Sequence, residues 1–208
     1  MDNNANLGIS SVILLISFML IAITALSVIS DTSTENMTTE EEIDQMLDEA
    51  LDPITKNVQI IDRIGKYYGE PRNQKIQKIG IMIKPMLSEE IDLTELSIKI
   101  SNGDSIRILY NSNHAQKIGS NNLFEHPIWQ NLTQNNYGLI VTFDKDNSLV
   151  DYHTLNKNTD QVYIVFRLSP DFYMKKGDTI IVQLFPSSGL KKTTILEAPL
   201  PMKSIVSL

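Results

Sequence analysis

The segment DKDNSLVD places Asp144, Asp146, Ser148 and Asp151 close together along the chain. Oxygen-bearing side chains at near-alternating positions on a turn can wrap a hard cation such as Ca2+, which is bound through carboxylates, hydroxyls and carbonyls. The glycine and the closing Glu of a helix-loop-helix calcium site are missing. Two readings therefore stand side by side, a Ca2+ cradle and a plain polar turn.

Little else in the chain is equipped for chemistry. His114, His126 and His153 have no metal-ligand spacing and read as surface or loop residues. No Ser/His/Asp grouping, phosphate-binding glycine loop or HExxH stands out. Cysteine is absent, which removes disulfides, thiolate nucleophiles and Cys-ligated metals together. An enzyme is not expected, nor a cofactor beyond that Ca2+. Asn36 in NMT and Asn131 in NLT are sequons with a permitted middle residue, both in polar stretches, and are candidate sites for N-linked glycans.

Composition narrows the partners. The net charge of −7 and pI near 4.9 argue against nucleic acid, because neutralising phosphates takes a clustered basic surface. Lys175, Lys176, Lys191 and Lys192 form only isolated pairs.

The strongest signal comes early. No charged residue occurs over 3–30, and from Leu7 to Ile29 the chain is dense in Ile, Leu, Val, Phe and Met. As a helix that run is roughly 34 Å long, enough to span a bilayer. A secretory signal would carry a basic start and a shorter apolar stretch, whereas Asp2 precedes a long one. A buried core helix is excluded because a domain of this size does not bury a helix apolar all round. Ser10, Ser17 and Thr24 recur seven apart, with Gly8 before them. Small residues on one face let another helix approach closely, so these four are candidate helix-packing positions. Ser and Thr are also tolerated anywhere in a membrane helix, so the spacing alone leaves both readings open.

Acidic residues dominate from Asp31 to Asp52, with no basic residue before Lys56. Ile43, Met46, Leu47, Ala50, Leu51 and Ile54 nonetheless recur at three and four, which predicts an amphipathic helix over 38–55. Thr38 or Thr39 can cap it, after a break over 31–37. From Val58 onward the pattern changes to VQIIDRI, KIGIMIK, LSIKI, SIRILY, YGLIVTF, QVYIVFRL, TIIVQLF and TTILEA, each bounded by turn residues. SNGD between LSIKI and SIRILY predicts a hairpin. The polar stretch 111–136 reads as a surface loop. The fold class is α+β: a long N-terminal hydrophobic α-helix followed by an antiparallel immunoglobulin-like β-sandwich. Residues 1–5 are a leader remnant or mature start, 6–55 the N-terminal helix (apolar over 7–30), and 56–208 the outer β-sandwich.

GISSVILLISFMLIAITALSVIS resembles the N-terminal helix of archaellins, the subunits of the archaeal swimming filament. KIGIMIKPMLSEEIDLTELSIKISNGD resembles the first strands of that family with their "IDL" link. YGLIVTFDKDNS, KKGDTIIVQLFPSSGLKKTTILEAPLP and the closing VSL resemble its later strands and terminus, so the likeness covers nearly the whole chain in order. The resemblance implies a precursor held in the membrane, leader removal by a prepilin-type peptidase, and handling by the archaellum export motor. It further implies polymerisation, with itself or with related archaellins, into an extracellular filament with helices bundled in the core and β domains outside. Ser10 stands where the family has a second Gly, and no Lys/Arg-Gly leader precedes the helix. Either the leader is absent from this chain or an atypical one ends near Ala5. The alternatives are a single-pass motor or stator component, disfavoured by the full set of strands, and an adhesive type IV pilin. The pilin would carry a Glu near the fifth mature position, and none occurs between Leu7 and Ser30.

Overall fold

Residues 56–70, 73–120, 122–187, 190–201 and 203–208 are described by the computed structural model of the chain. The apolar segment 7–30, the acidic segment 38–55 and the positions Gly8, Ser10, Ser17, Thr24 and Asn36 lie outside the described residues. By compactness the chain divides into units 1–47 and 48–208, and the described residues all belong to the second.

Runs rich in Ile, Val, Tyr and Phe give strands because branched and aromatic side chains pack well on a pleated surface. They form β1 (Val58–Tyr68), β2 (Lys75–Pro85), β3 (Ile91–Asp92), β4 (Ser97–Ser101), β5 (Ile106–Lys117) and β6 (Asn136–Phe143). Further on come β7 (Thr154–Leu155), β8 (Gln161–Arg167), β9 (Thr179–Phe185), β10 (Lys192–Glu197) and β11 (Ile205–Ser207). Nine strands join in one sheet in the order β10-β9-β4-β5-β6-β8-β2-β1-β11, while β3 pairs with β7 apart from it.

The sheet curls upon itself. Inward side chains of β4, β9 and β10, among them Ile98, Ile100, Val182, Leu184 and Leu196, share one core with Ile79, Ile81, Leu139, Ile164 and Phe166 of β2, β6 and β8. In β4, β9 and β10 burial alternates along the strand, which fixes their register, since a slip of one residue would turn the buried side chains outward. Tyr137 is buried in the same core, and its hydroxyl donates to the carbonyls of Leu96 (2.6 Å) and Leu93 (3.1 Å), tying down the turn before β4. Desolvation holds that phenol well above its ordinary pKa, with the negative charge of Asp92 adding to the effect.

The expected hairpin is present, with Ile98 opposite Leu109 and Ser101 opposite Ile106. Gly103, at φ +94°, supplies the left-handed backbone its tip needs. Two expectations are corrected. The architecture is one curled, sandwich-like sheet, and it is not wholly antiparallel: β5 and β6 run parallel. The DKDNS turn is present and leads into a single helical turn, α1 (Ser148–Asp151). The stretch 111–136 is not a polar surface loop. Its start belongs to β5, and its middle crosses over the sheet as two 3-10 turns, Leu123–Glu125 and Pro127–Gln130. That crossover is why β5 and β6 point the same way, since parallel neighbours cannot be joined by a tight hairpin.

Leu123, Phe124, Ile128, Trp129 and Leu132 of this crossover form a second core with Ile140, Tyr163 and Val165 on the outer face of β6 and β8. Gly80 and Gly138 make the close approach feasible. A Cβ on Gly138 would stand 2.8 Å from Ile128 Cδ1, and one on Gly80 would stand 2.9 Å from Leu123 Cδ2. Asn122 caps the first 3-10 turn and His126 the second, with Pro127 pre-set at its first position. His126 is therefore a loop residue, as expected, but a buried one, at 6% exposure. Its Nε2 bonds Lys117 O, and its Nδ1 accepts from the Ile128 amide.

Candidate functional site

The acidic loop after β6 is the first candidate. Asp144 Oδ2 accepts from the Leu149 amide at 3.0 Å, and Asp146 Oδ1 accepts from the Ser148 amide at 3.4 Å, so both carboxyls help start α1. Asp146 Oδ2 also takes Lys157 Nζ at 2.5 Å and Asn156 Nδ2 at 3.1 Å. The Lys157 ammonium, then the Asn156 amide, holds the Asp146 carboxyl well below the usual carboxylate range. Burial pushes Asp144 the other way, and the neighbouring negative charges of Asp160 and Asp146 add to it.

Asp144 and Asp146 are thus brought together, but Ser148 and Asp151 do not join them. Ser148 Oγ donates to Thr154 O at 3.0 Å, and Asp151 is exposed. Asn156 and Asp160 enter instead. Asp160 is fully buried, and its Oδ2 accepts from the amides of Asn156 and Lys157. Asp144 Oδ1, Asn156 Oδ1 and Asp160 Oδ1 are all buried without a hydrogen-bond partner, a costly condition for polar atoms. Among the described residues no three His, Asp or Glu side chains converge as a metal-ligating group. Sequence reasoning missed Asp160 because it sits next to β8, far from the acidic turn in the chain, and nothing in its spacing marks it as a neighbour of Asp144.

The sequon at Asn131 lies directly after the second 3-10 turn, whose end it caps, and Asn131 and Thr133 are both exposed. His114 lies on β5, with Nδ1 on Ser112 O at 2.6 Å. His153 has a positive φ of 58°.

The two outer faces of the sheet differ. The half built from β6, β8, β2 and β1 lies under the crossover. On the half built from β5, β4, β9 and β10, Ile106, Ile108, Tyr110, Ile181 and Ile195 are exposed. Strand register aligns Ile106, Ser101, Ile181 and Ile195 in one row across all four strands.

A model of the archaeal-type flagellin family matches residues 5–195 of this chain. The chain belongs to that family. This archaeal-type flagellin is 26% identical over 157 residues to Flagellin B3 of Methanocaldococcus jannaschii, a match covering 72% of this chain and 69% of the relative. Its fold is similar to the crystal structure of archaeal flagellin FlaB1 from Methanocaldococcus jannaschii, with a TM-score of 0.65 at 20% identity over 73% of this chain and 95% of that one. It is also similar to the archaeal flagellum of Methanospirillum hungatei, with a TM-score of 0.53 at 13% identity over 97% of this chain and 99% of that one. As a member of this family it is a structural subunit of the archaeal motility filament.

Proposed function

We propose that this flagellin polymerises through its N-terminal apolar segment, 7–30, into an extracellular filament, alone or with related archaellins. Before assembly that segment holds the subunit in the membrane, where a prepilin-type peptidase and the archaellum export motor act on it. The observation that carries this reading is that the family match spans 5–195, so that it takes in the apolar segment as well as the strands up to β10. An apolar helix can leave lipid for a bundle of identical helices at small cost, because both surroundings are apolar and close packing compensates. Gly8, Ser10, Ser17 and Thr24 are the positions where such helices would approach most closely. Electron microscopy of sheared surface filaments, with mass spectrometry of their subunit, tests it. Filaments built of this chain are expected. Filaments that lack it, with the chain retained in the membrane, would point to a stator role instead.

Glycans at Asn36 and Asn131 belong to the same proposal. The support at Asn131 is its exposed place after the second 3-10 turn. Unmodified peptides across both sites from native filaments would remove them.

For the 144–160 loop the proposal is a bound Ca2+ on Asp144 and Asp146, supported by the unpartnered buried oxygens of Asp144, Asn156 and Asp160. A divalent cation would compete with Lys157 for Asp146. Ca2+ should raise the melting temperature of the wild type and leave Asp144→Asn unchanged. Equal melting of the wild type in Ca2+ and in chelator would leave the loop a plain polar turn.

A further inference from the structure

Register sets three cations abreast on the outer face: Lys66 of β1 lies opposite Lys78 of β2, and Lys78 lies opposite Arg167 of β8. Like charges directly opposite one another on a sheet are destabilising. Little in the fold offsets them. Glu125 reaches Lys66 at 3.9 Å, while among the described residues neither Lys78 nor Arg167 has a carboxylate within ion-pair distance. Their bonds go to backbone oxygens, Lys78 Nζ to Phe124 O at 3.3 Å and the Arg167 guanidinium to Trp129 O. Burial first, then Arg167 and Lys66, lowers the Lys78 pKa to about 8. An anion is what this row lacks, in a chain whose net charge is −7.

Two of the three cations, Lys78 and Arg167, border a cavity of about 230 Å3 whose wall also holds Tyr68, Gln77, Gln134 and Tyr173. The Lys78 ammonium lies 5.5 Å from the centre of the Tyr68 ring and 4.6 Å from that of Trp129. Two cations would hold a carboxylate, two tyrosine rings would cover the face of a small ring, and two glutamine amides would bond its hydroxyls. We propose that this cavity binds a uronic acid residue of a saccharide, its carboxylate on Lys78 and Arg167. Inorganic phosphate would use the charges and leave the rings and amides idle, and a Glu side chain would leave the hydroxyl partners unmet. Two sources share this chemistry. One is a glycan on Asn131, three residues before Gln134 of the cavity wall. The other is a saccharide arriving from elsewhere.

Trp129 is the chain's one tryptophan, so its emission reports on Lys78 directly. Full-length protein made without glycans, in detergent, is titrated with sodium glucuronate and, at equal ionic strength, with glucose, phosphate and N-acetylglutamate. A saturable change is expected with glucuronate alone, at half-saturation on the order of millimolar for so small a ligand. Lys78→Met and Arg167→Gln, each checked for native circular dichroism, should weaken it by about tenfold or more. No response to glucuronate overturns the proposal, as does an unweakened response in either folded variant. An equal response to phosphate would mark a general anion site, and an equal response to N-acetylglutamate a site for an acidic protein segment; either also overturns it. Native filaments then separate the sources. If the Asn131 glycan fills the cavity, added glucuronate changes the emission of Asn131→Gln and not of the wild type; if the saccharide comes from elsewhere, both respond alike.

Discussion

Gly138 of β6 lies under Ile128 of the crossover so closely that a Cβ would come within 2.8 Å of Ile128 Cδ1, and Leu132 Cδ2 would be 3.1 Å away. The second core depends on that bare patch of sheet. Gly138→Val should force Ile128 and Leu132 outward and cost about 1–3 kcal/mol, the usual cost of overpacking. Urea unfolding of the wild type and variant measures it. A variant of unchanged midpoint would mean that the crossover packs elsewhere.

Tyr137→Phe keeps the ring in the main core and deletes the donor that reaches Leu93 O and Leu96 O. Leu93 O retains Asn111 Nδ2 at 2.9 Å, so Leu96 O bears the loss. The expected cost is about 1–2 kcal/mol by thermal or urea unfolding, as for a buried acceptor left short of a partner. A neutral result would show that water replaces the hydroxyl.

Much of this was legible. Seven of the eight apolar runs lie mainly on β1, β2, β4, β5, β6, β8 and β9, and the eighth, TTILEA, runs along β10 into Ala198, because period-two alternation and bounding turns are local signals. The crossover was not. Phe124, Ile128 and Leu132 do recur at four, but Pro127 interrupts the run and Asn, Gln and His dilute it, so neither a helix nor a strand reads out of it. The signal available was the chain's one Trp, close after Pro127 and flanked by Leu123, Phe124, Ile128 and Leu132, an apolar load that a solvated loop does not need. The acidic loop was half legible: Asp144 and Asp146 were found by spacing, whereas Asp160 is brought up by β8 and Lys157 by the turn before it. Tertiary neighbours of this kind leave no mark on spacing. The row Lys66, Lys78 and Arg167 is invisible for the same reason, since it exists only once β1, β2 and β8 are in register.

Lys78 should titrate unusually early. Its pKa is lowered from 10.5 to about 8, chiefly by burial, so the unfolded chain binds more protons than the fold between those values. Stability contributed by this group therefore rises with pH across that window, and below about 8 the fold carries the full cost of a desolvated charge. Trp129 emission should shift with a midpoint near pH 8 as the cation over its ring is lost. The shift should vanish in Lys78→Met. A midpoint near that of a free lysine would show the ammonium to be solvated.

Ser17→Leu or Thr24→Leu should leave membrane insertion intact, because Leu inserts at least as well. Either should hinder close approach of helices, so filaments shorten or disappear while the protein stays in the membrane. Electron microscopy with immunoblotting of membranes reads both outcomes. Normal filaments from both variants would place Ser17 and Thr24 away from any tight contact.

If assembly energy resides in the N-terminal segment, the β domain stands without it. A chain shortened to residues 56–208 has enough length to bury a core of its own, and both cores described above fall within it. In the full chain, each large apolar side chain of 7–30 gains roughly 1.5–3 kcal/mol on leaving water, which drives it into lipid or polymer. Sedimentation velocity of the shortened chain, followed by electron microscopy under conditions in which the full chain assembles, is the most direct measurement. The expected result is a cooperatively folded, β-rich monomer that forms no filament at any concentration tested. Native-like filaments of the shortened chain would place the assembly contacts in the β domain, and its failure to fold would show that the domain depends on residues 1–55.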